Sequence, residues 1–189
     1  MNTPAHLILG LAAFGKPGRP RVTAAALAGS LIPDLSLYVL AGGALALGET
    51  PERVFRELYY SDAWQAVFRI DNSFLIWTAV LAAGLWRRSG WAIAFAGAGL
   101  LHLATDFPLH HDDGRAHFWP LTDWIFASPI SYWDPAHGGA VVGALEVAMC
   151  AVLAVVVWRR FPSRWVRAVV VALMAAELSV GGVWALVFA

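Results

Sequence analysis

Cysteine is almost missing from this chain: Cys150 is the only one in 189 residues. An intrachain disulfide and a cysteine-based metal cluster are therefore excluded. Charge is scarce too, at 14% of residues, and it balances, with 13 basic against 13 acidic side chains. A chain with no net field has nothing to draw in nucleic acid or an acidic partner, and no nucleic-acid partner is expected. No basic stretch precedes the first apolar run; Lys16, Arg19 and Arg21 follow it. That order is the reverse of a secretory leader, so the N-terminus is expected to be retained.

What is abundant is apolar surface: 59% of residues are hydrophobic and the mean hydropathy is +0.63. An ordinary soluble domain carries less. Apolar segments recur at 23–48, 73–86, 91–107, 140–158 and 166–189, against the roughly 17 to 25 residues that a bilayer helix needs. The segment 73–86 is short, and 6–15 is shorter still, a half-helix or re-entrant piece. The pattern predicts an all-α fold: one polytopic membrane domain over 1–189, a helical bundle with about five transmembrane helices plus a short N-terminal half-helix. Lys16, Arg19, Arg21, Arg87, Arg88, Arg159, Arg160, Arg164 and Arg167 all fall on one face. The positive-inside rule assigns that face to the cytoplasm, as expected of an integral protein of the bacterial inner membrane. The two long loops then face outward. Segment 49–70 has the composition of an interfacial helix. Segment 108–139, crowded with aromatics and prolines as well as four histidines and four aspartates, reads as a packed cap.

Depth within the bilayer makes some ionisable residues informative. Counting at a rise of about 1.5 Å per residue from the basic end, His6, Asp34 and His102 all come to about 15 to 17 Å. Glu146 and Glu177 come to about 18 and 15 Å, and Asp71 and Asp106 to about 22 Å. An unpaired ionisable group at such depth costs about 2.5 to 3.5 kcal/mol or more, so these side chains are expected to face one another, water or a cation. His102 and Asp106 are four residues apart, on one helix face, a spacing that lets an imidazole and a carboxylate ligate one ion. Pro108 ends that helix near Phe107 and leaves Asp106 at the negative end of the dipole. A metal, Arg115 or a protonated His111 would supply the compensating charge. His6, Asp34, His102 and Asp106 offer only nitrogen and oxygen donors, which suits a divalent metal: zinc first, with manganese or iron as alternatives.

Other readings stand beside this one. His6 alone reads as a helix-end histidine bonded to a carbonyl, and Asp34 as a residue satisfying backbone groups freed by Pro33. Glu146 and Glu177 read as hydrogen-bonded or neutral groups. The cluster of His110, His111, Asp112, Asp113 and His117 fits a solvated turn as well as a site. Trp119, Trp124, Tyr132 and Trp133 fit an aromatic belt.

In the order His6, Ser30-Leu31-Ile32-Pro33-Asp34, His102-Leu103-Ala104-Thr105-Asp106, then Gly114 and Pro120, the chain resembles the family of inner-membrane-associated metal-dependent hydrolases. The likeness covers residues 6 to about 120. It departs from the family pattern at Ser36, where a second aspartate is usual, and at Arg69-Ile70-Asp71-Asn72-Ser73, where a histidine-rich segment is usual. Asp71 and the His110/His111 pair are the candidate replacements. Relatives are also labelled cobalamin-biosynthesis proteins, but no phosphate-binding loop or amidotransferase nucleophile supports that label here. The resemblance, joined to the residue reading, implies hydrolysis at a mid-membrane metal held by His6, Asp34, His102 and Asp106, with Asp71 or His111 as base. The substrate would be a membrane lipid or other amphiphilic ester or phosphoester that reaches the site laterally. The alternative is a non-catalytic membrane protein, either a cation- or proton-linked transporter subunit or a partner-binding scaffold.

Overall fold

In the computed structural model, which describes residues 1–187 and side chains to residue 180, the chain is all-helical, with no strand among the described residues. Seven helices carry it: α1 (Thr3–Phe14), α2 (Pro20–Ala46), α3 (Asp62–Asp71), α4 (Phe74–Trp86), α5 (Gly90–Asp106), α6 (Gly139–Arg160) and α7 (Arg164–Val187). Local chemistry marks the starts. Pro20 opens α2, where its missing N–H costs nothing. The Ser61 and Ser73 hydroxyls accept from the Trp64 and Ile76 N–H groups at 3.4 and 3.2 Å and cap α3 and α4. Gly138, at φ +85°, turns the chain into α6.

Among the described residues three segments are long and apolar enough to cross a membrane: Pro20–Ala46, Asp62–Trp86 and Gly139–Arg160. That is fewer than the five expected. The helix at the expected span 91–107 has 17 residues. The end of the expected span 166–189, at residues 188–189, lies outside the described residues. Segment 73–86 reaches crossing length only because α3 continues it, although the chain breaks between the two at Asn72 and Ser73. The expected interfacial segment 49–70 is thus two things, a short helical turn at 51–58 and the amphipathic α3.

The short α1 sits in the middle of the bundle, packed against α2, α5, α6 and α7. Small residues allow this. A Cβ on Gly10 would fall 1.8 Å from Ser30 Oγ, and one on Gly29 would fall 1.9 Å from Phe95 O. Only glycine lets α1 meet α2, and α2 meet α5, at that distance. The two ends of the bundle differ as the charge pattern predicts. At the basic end Arg160 donates to Ala12 O at 2.6 Å and to Gly15 O at 2.7 Å, and Arg19, Arg21, Gly90 and Trp91 line one hollow. At the other end the two long loops join. The Tyr59 hydroxyl donates to Asp113 O at 3.2 Å, the Ser73 hydroxyl to Trp119 O at 2.5 Å, and Phe74 N to His117 O at 2.8 Å.

Candidate metal centre

α1 carries His6, α2 carries Asp34 just past Pro33, and α5 carries His102 and Asp106 one turn apart. His6, His102 and Asp106 are 1%, 1% and 6% exposed, and one ligand atom from each lies within 4.8 Å of the others. This group could hold a metal ion. The two imidazoles stack with ring centroids 3.5 Å apart and planes 10° from parallel. His6 Nε2 lies 2.9 Å from Asp106 Oδ1. His102 Nε2 lies 3.2 Å from Asp106 Oδ2 and 3.6 Å from Asp34 Oδ1.

The backbone sets the proton position on His102. Pro33 brings no N–H to its turn of α2, and Ser30 O, in that turn, accepts from His102 Nδ1 at 2.7 Å. The proton of a neutral His102 therefore sits on Nδ1 and its bare Nε2 points at carboxylates. That nitrogen is buried with no hydrogen-bond partner. His6 differs, since no backbone carbonyl claims its Nδ1. Its Nε2 meets Asp106 Oδ1 at 2.9 Å, and its Nδ1 lies 3.4 Å from the Thr105 hydroxyl, whose one hydrogen also has the Leu101 and His102 carbonyls in reach at 3.0 and 2.9 Å. In His102, with the hydrogen on Nδ1, Nε2 turns its lone pair to an anion. Acceptors facing acceptors need a cation between them, a metal ion or an added proton.

Asp106 is the hub of the group. Its Oδ1 also meets the Met1 amine, and its Oδ2 lies 3.5 Å from His110 Nε2. His110 Nδ1 in turn lies 3.0 Å from Asp113 Oδ1. Burial alone would raise the Asp113 carboxyl, but its contact with His110 outweighs that and holds it below the usual range. Beside a metal, the sequence offered Arg115 or a protonated His111 as the compensating charge at Asp106; of the chain's own groups it is Met1 and His110 that reach it. Arg115 instead lies between the Tyr59 and Phe68 rings, 4.5 and 4.2 Å from their centroids. His111 donates to or accepts from nothing in the group: its Nδ1 is 2.6 Å from Ser128 O and its ring stacks on His137 at 3.6 Å.

The structure brings His6, His102 and Asp106 together, with Asp34 beside them. It does not bring in the two residues named as candidate bases. Asp71 accepts from Asn72 Nδ2 at 2.8 Å and lies next to Ser36. Asp34 is the open member, its side chain 20% exposed. Thr3 Oγ1 donates to Asp34 Oδ2 at 2.5 Å and lies 2.6 Å from the hydroxyl of exposed Tyr38. Of the His110/His111 pair named as candidate replacements, His110 is the one that reaches Asp106. Its spacing was the available signal, since His102, Asp106 and His110 follow one another at intervals of four, and Leu109 N still bonds Asp106 O at 2.8 Å. Set against family models, curated proteins and solved structures, the chain matches none of them, so the family likeness rests on its motif residues alone.

Proposed function

We propose that this chain is an integral membrane protein, with about five crossings, that hydrolyses a membrane-confined ester or phosphoester at a divalent metal held by His6, His102 and Asp106. One observation carries the reading: the buried Nε2 of His102, its Nδ1 committed to Ser30 O, faces two carboxylates with no donor between them. Two imidazoles and a carboxylate, with Asp34 as a further oxygen donor, make a set that fits zinc and leaves room for substrate. Manganese and iron accept the same donors. A divalent ion in that place supplies Lewis acidity, which polarises the scissile group and acidifies water.

The chain's own residues do the rest. Ser30 O and Thr105 fix the ring orientations of His102 and His6, and His110, backed by Asp113, steadies Asp106 from the cap side. Asp34 stands where the group is least covered. Around it the exposed Leu35, Tyr38 and Val39 of α2 give an apolar approach, and the Thr3 and Tyr38 hydroxyls give a polar threshold. That combination suits an amphiphile arriving from the lipid side. The test is metal analysis of the purified protein beside its Asp106→Ala variant, with turnover of a micellar aryl ester or aryl phosphodiester. About one divalent ion per chain, lost together with turnover in the variant, is expected. A wild-type protein without bound metal would end the reading.

A further inference from the structure

Two carboxyl groups lie buried outside the metal group. Glu146 on α6 and Glu177 on α7 are 4% and 3% exposed, and each keeps one oxygen, Oε2, buried without a hydrogen-bond partner. The side chains come within hydrogen-bonding reach of each other. Their donors come from Asn2: its backbone N–H meets Glu146 Oε1 at 2.6 Å, and its side-chain amide meets Glu177 Oε1 at 3.4 Å. The other titratable groups facing the pair are the Met1 amine ahead of α1, Asp106 at the end of α5 and Cys150 one turn further along α6. Among the described residues no lysine, arginine or histidine side chain pairs with either glutamate. Two carboxylates so placed repel each other, and a single proton between them removes one charge and turns the contact into a short hydrogen bond.

We propose that Glu146 and Glu177 form a second site, a carboxyl pair that binds one proton between α6 and α7 and, through Asn2, latches the start of the helix that carries His6. Loss of the proton sets two anions against each other and loosens the latch. The pair thereby ties proton occupancy to the placement of α1. This inference stands on the geometry of the two glutamates and does not require His6, His102 and Asp106 to hold a metal.

Dicyclohexylcarbodiimide, which adds to protonated carboxyl groups in apolar surroundings, is the probe. It is applied to the full chain in detergent micelles and read by mass spectrometry of the peptides containing Glu146 and Glu177. One adduct per chain is expected, on one glutamate or the other. In Glu146→Gln or Glu177→Gln the amide donates to the remaining carboxylate in the proton's place, and labelling of that glutamate should fall at least about tenfold. No adduct on either glutamate at acidic or neutral pH, or adducts on both in the same chain, would overturn the proposal. So would protection by sodium chloride but not choline chloride at fixed pH, which would assign the oxygens to a metal cation. Metal content measured on the same preparations separates the two readings: zinc retained without adduct breaks the proton pair alone, and adduct retained without zinc breaks the hydrolase alone.

Discussion

Around His102 hydrogen-bond acceptors face one another, whereas in the cap at 108–139 three of the four histidines direct Nδ1 at a hydrogen-bond partner that anchors a loop. His111 is set on Ser128 O, His117 on Asn72 O and His137 on Asp134 at 2.5 Å; His110 Nδ1 faces Asp113 Oδ1 as an ion pair at 3.0 Å, and neither atom has a hydrogen-bond partner. Three of the cap's four aspartates accept hydrogen bonds as well. Asp113 accepts from Trp133 Nε1 at 3.1 Å and Asp134 from Ala136 N at 2.8 Å. Both regions are built from histidine and aspartate, yet the outer part of the cap, at His111, His117 and His137, is closed by hydrogen bonds, and at His102 Nε2 a buried lone pair faces carboxylates without a donor. Residue type therefore marks neither as a site. What separates them is whether each lone pair has a donor.

The largest difference should appear in metal affinity. Replacing His102 with alanine removes a ligand and should weaken zinc binding by more than the about 10- to 100-fold that loss of an outer partner costs. His111→Ala and His137→Ala should leave it within about threefold of wild type, by competition with a chelating dye. Equal losses in both regions would erase the distinction. Next comes acid stability of the cap. Burial holds the His117 imidazole down to about 4, from an ordinary value of 6.5, so it folds neutral and the unfolded chain binds the extra proton. Its contribution is whole above pH 6.5 and is lost as pH falls from 6.5 toward 4, a total of about 3 kcal/mol. His110 has the opposite sign. Burial opposes its charge, but Asp106 and Asp113 outweigh burial and raise it, so its contribution is lost on the alkaline side. Thermal unfolding across this range should show a slope that His117→Gln flattens. The smallest effect belongs to the Arg69–Asp123 pair at 3.1 Å, whose aspartate is 75% exposed. Asp123→Ala should change stability by less than about 1 kcal/mol, and a larger drop in melting temperature would show that the cap depends on its rim.

The helices were legible because apolar runs and their breakers are local. The expected segment at 91–107 became Gly90–Asp106, and that at 140–158 became Gly139–Arg160. The group at the site was legible through depth, since helices place residues at regular heights. Asp106 counted as lying further out than His102, yet it joins the group because side chains of α5 lean toward that helix's N-terminus, while His6, on the oppositely directed α1, leans the other way. The cap was not legible. Which of His110, His111 and Arg115 reaches Asp106 depends on loop paths with no period, and on the fit of Arg115 between Tyr59 and Phe68. The nearness of α3 to α4 escaped for a similar reason: the polar residues around Asn72 read as a boundary, although the two helices together are long and apolar enough to cross a membrane.

X-ray absorption of the zinc-loaded protein tests the central claim most directly. Two imidazole nitrogens and carboxylate oxygen at about 2.0 to 2.2 Å, and no sulfur, are predicted. A sulfur neighbour, or a spectrum showing only water oxygens around the zinc, would contradict the account.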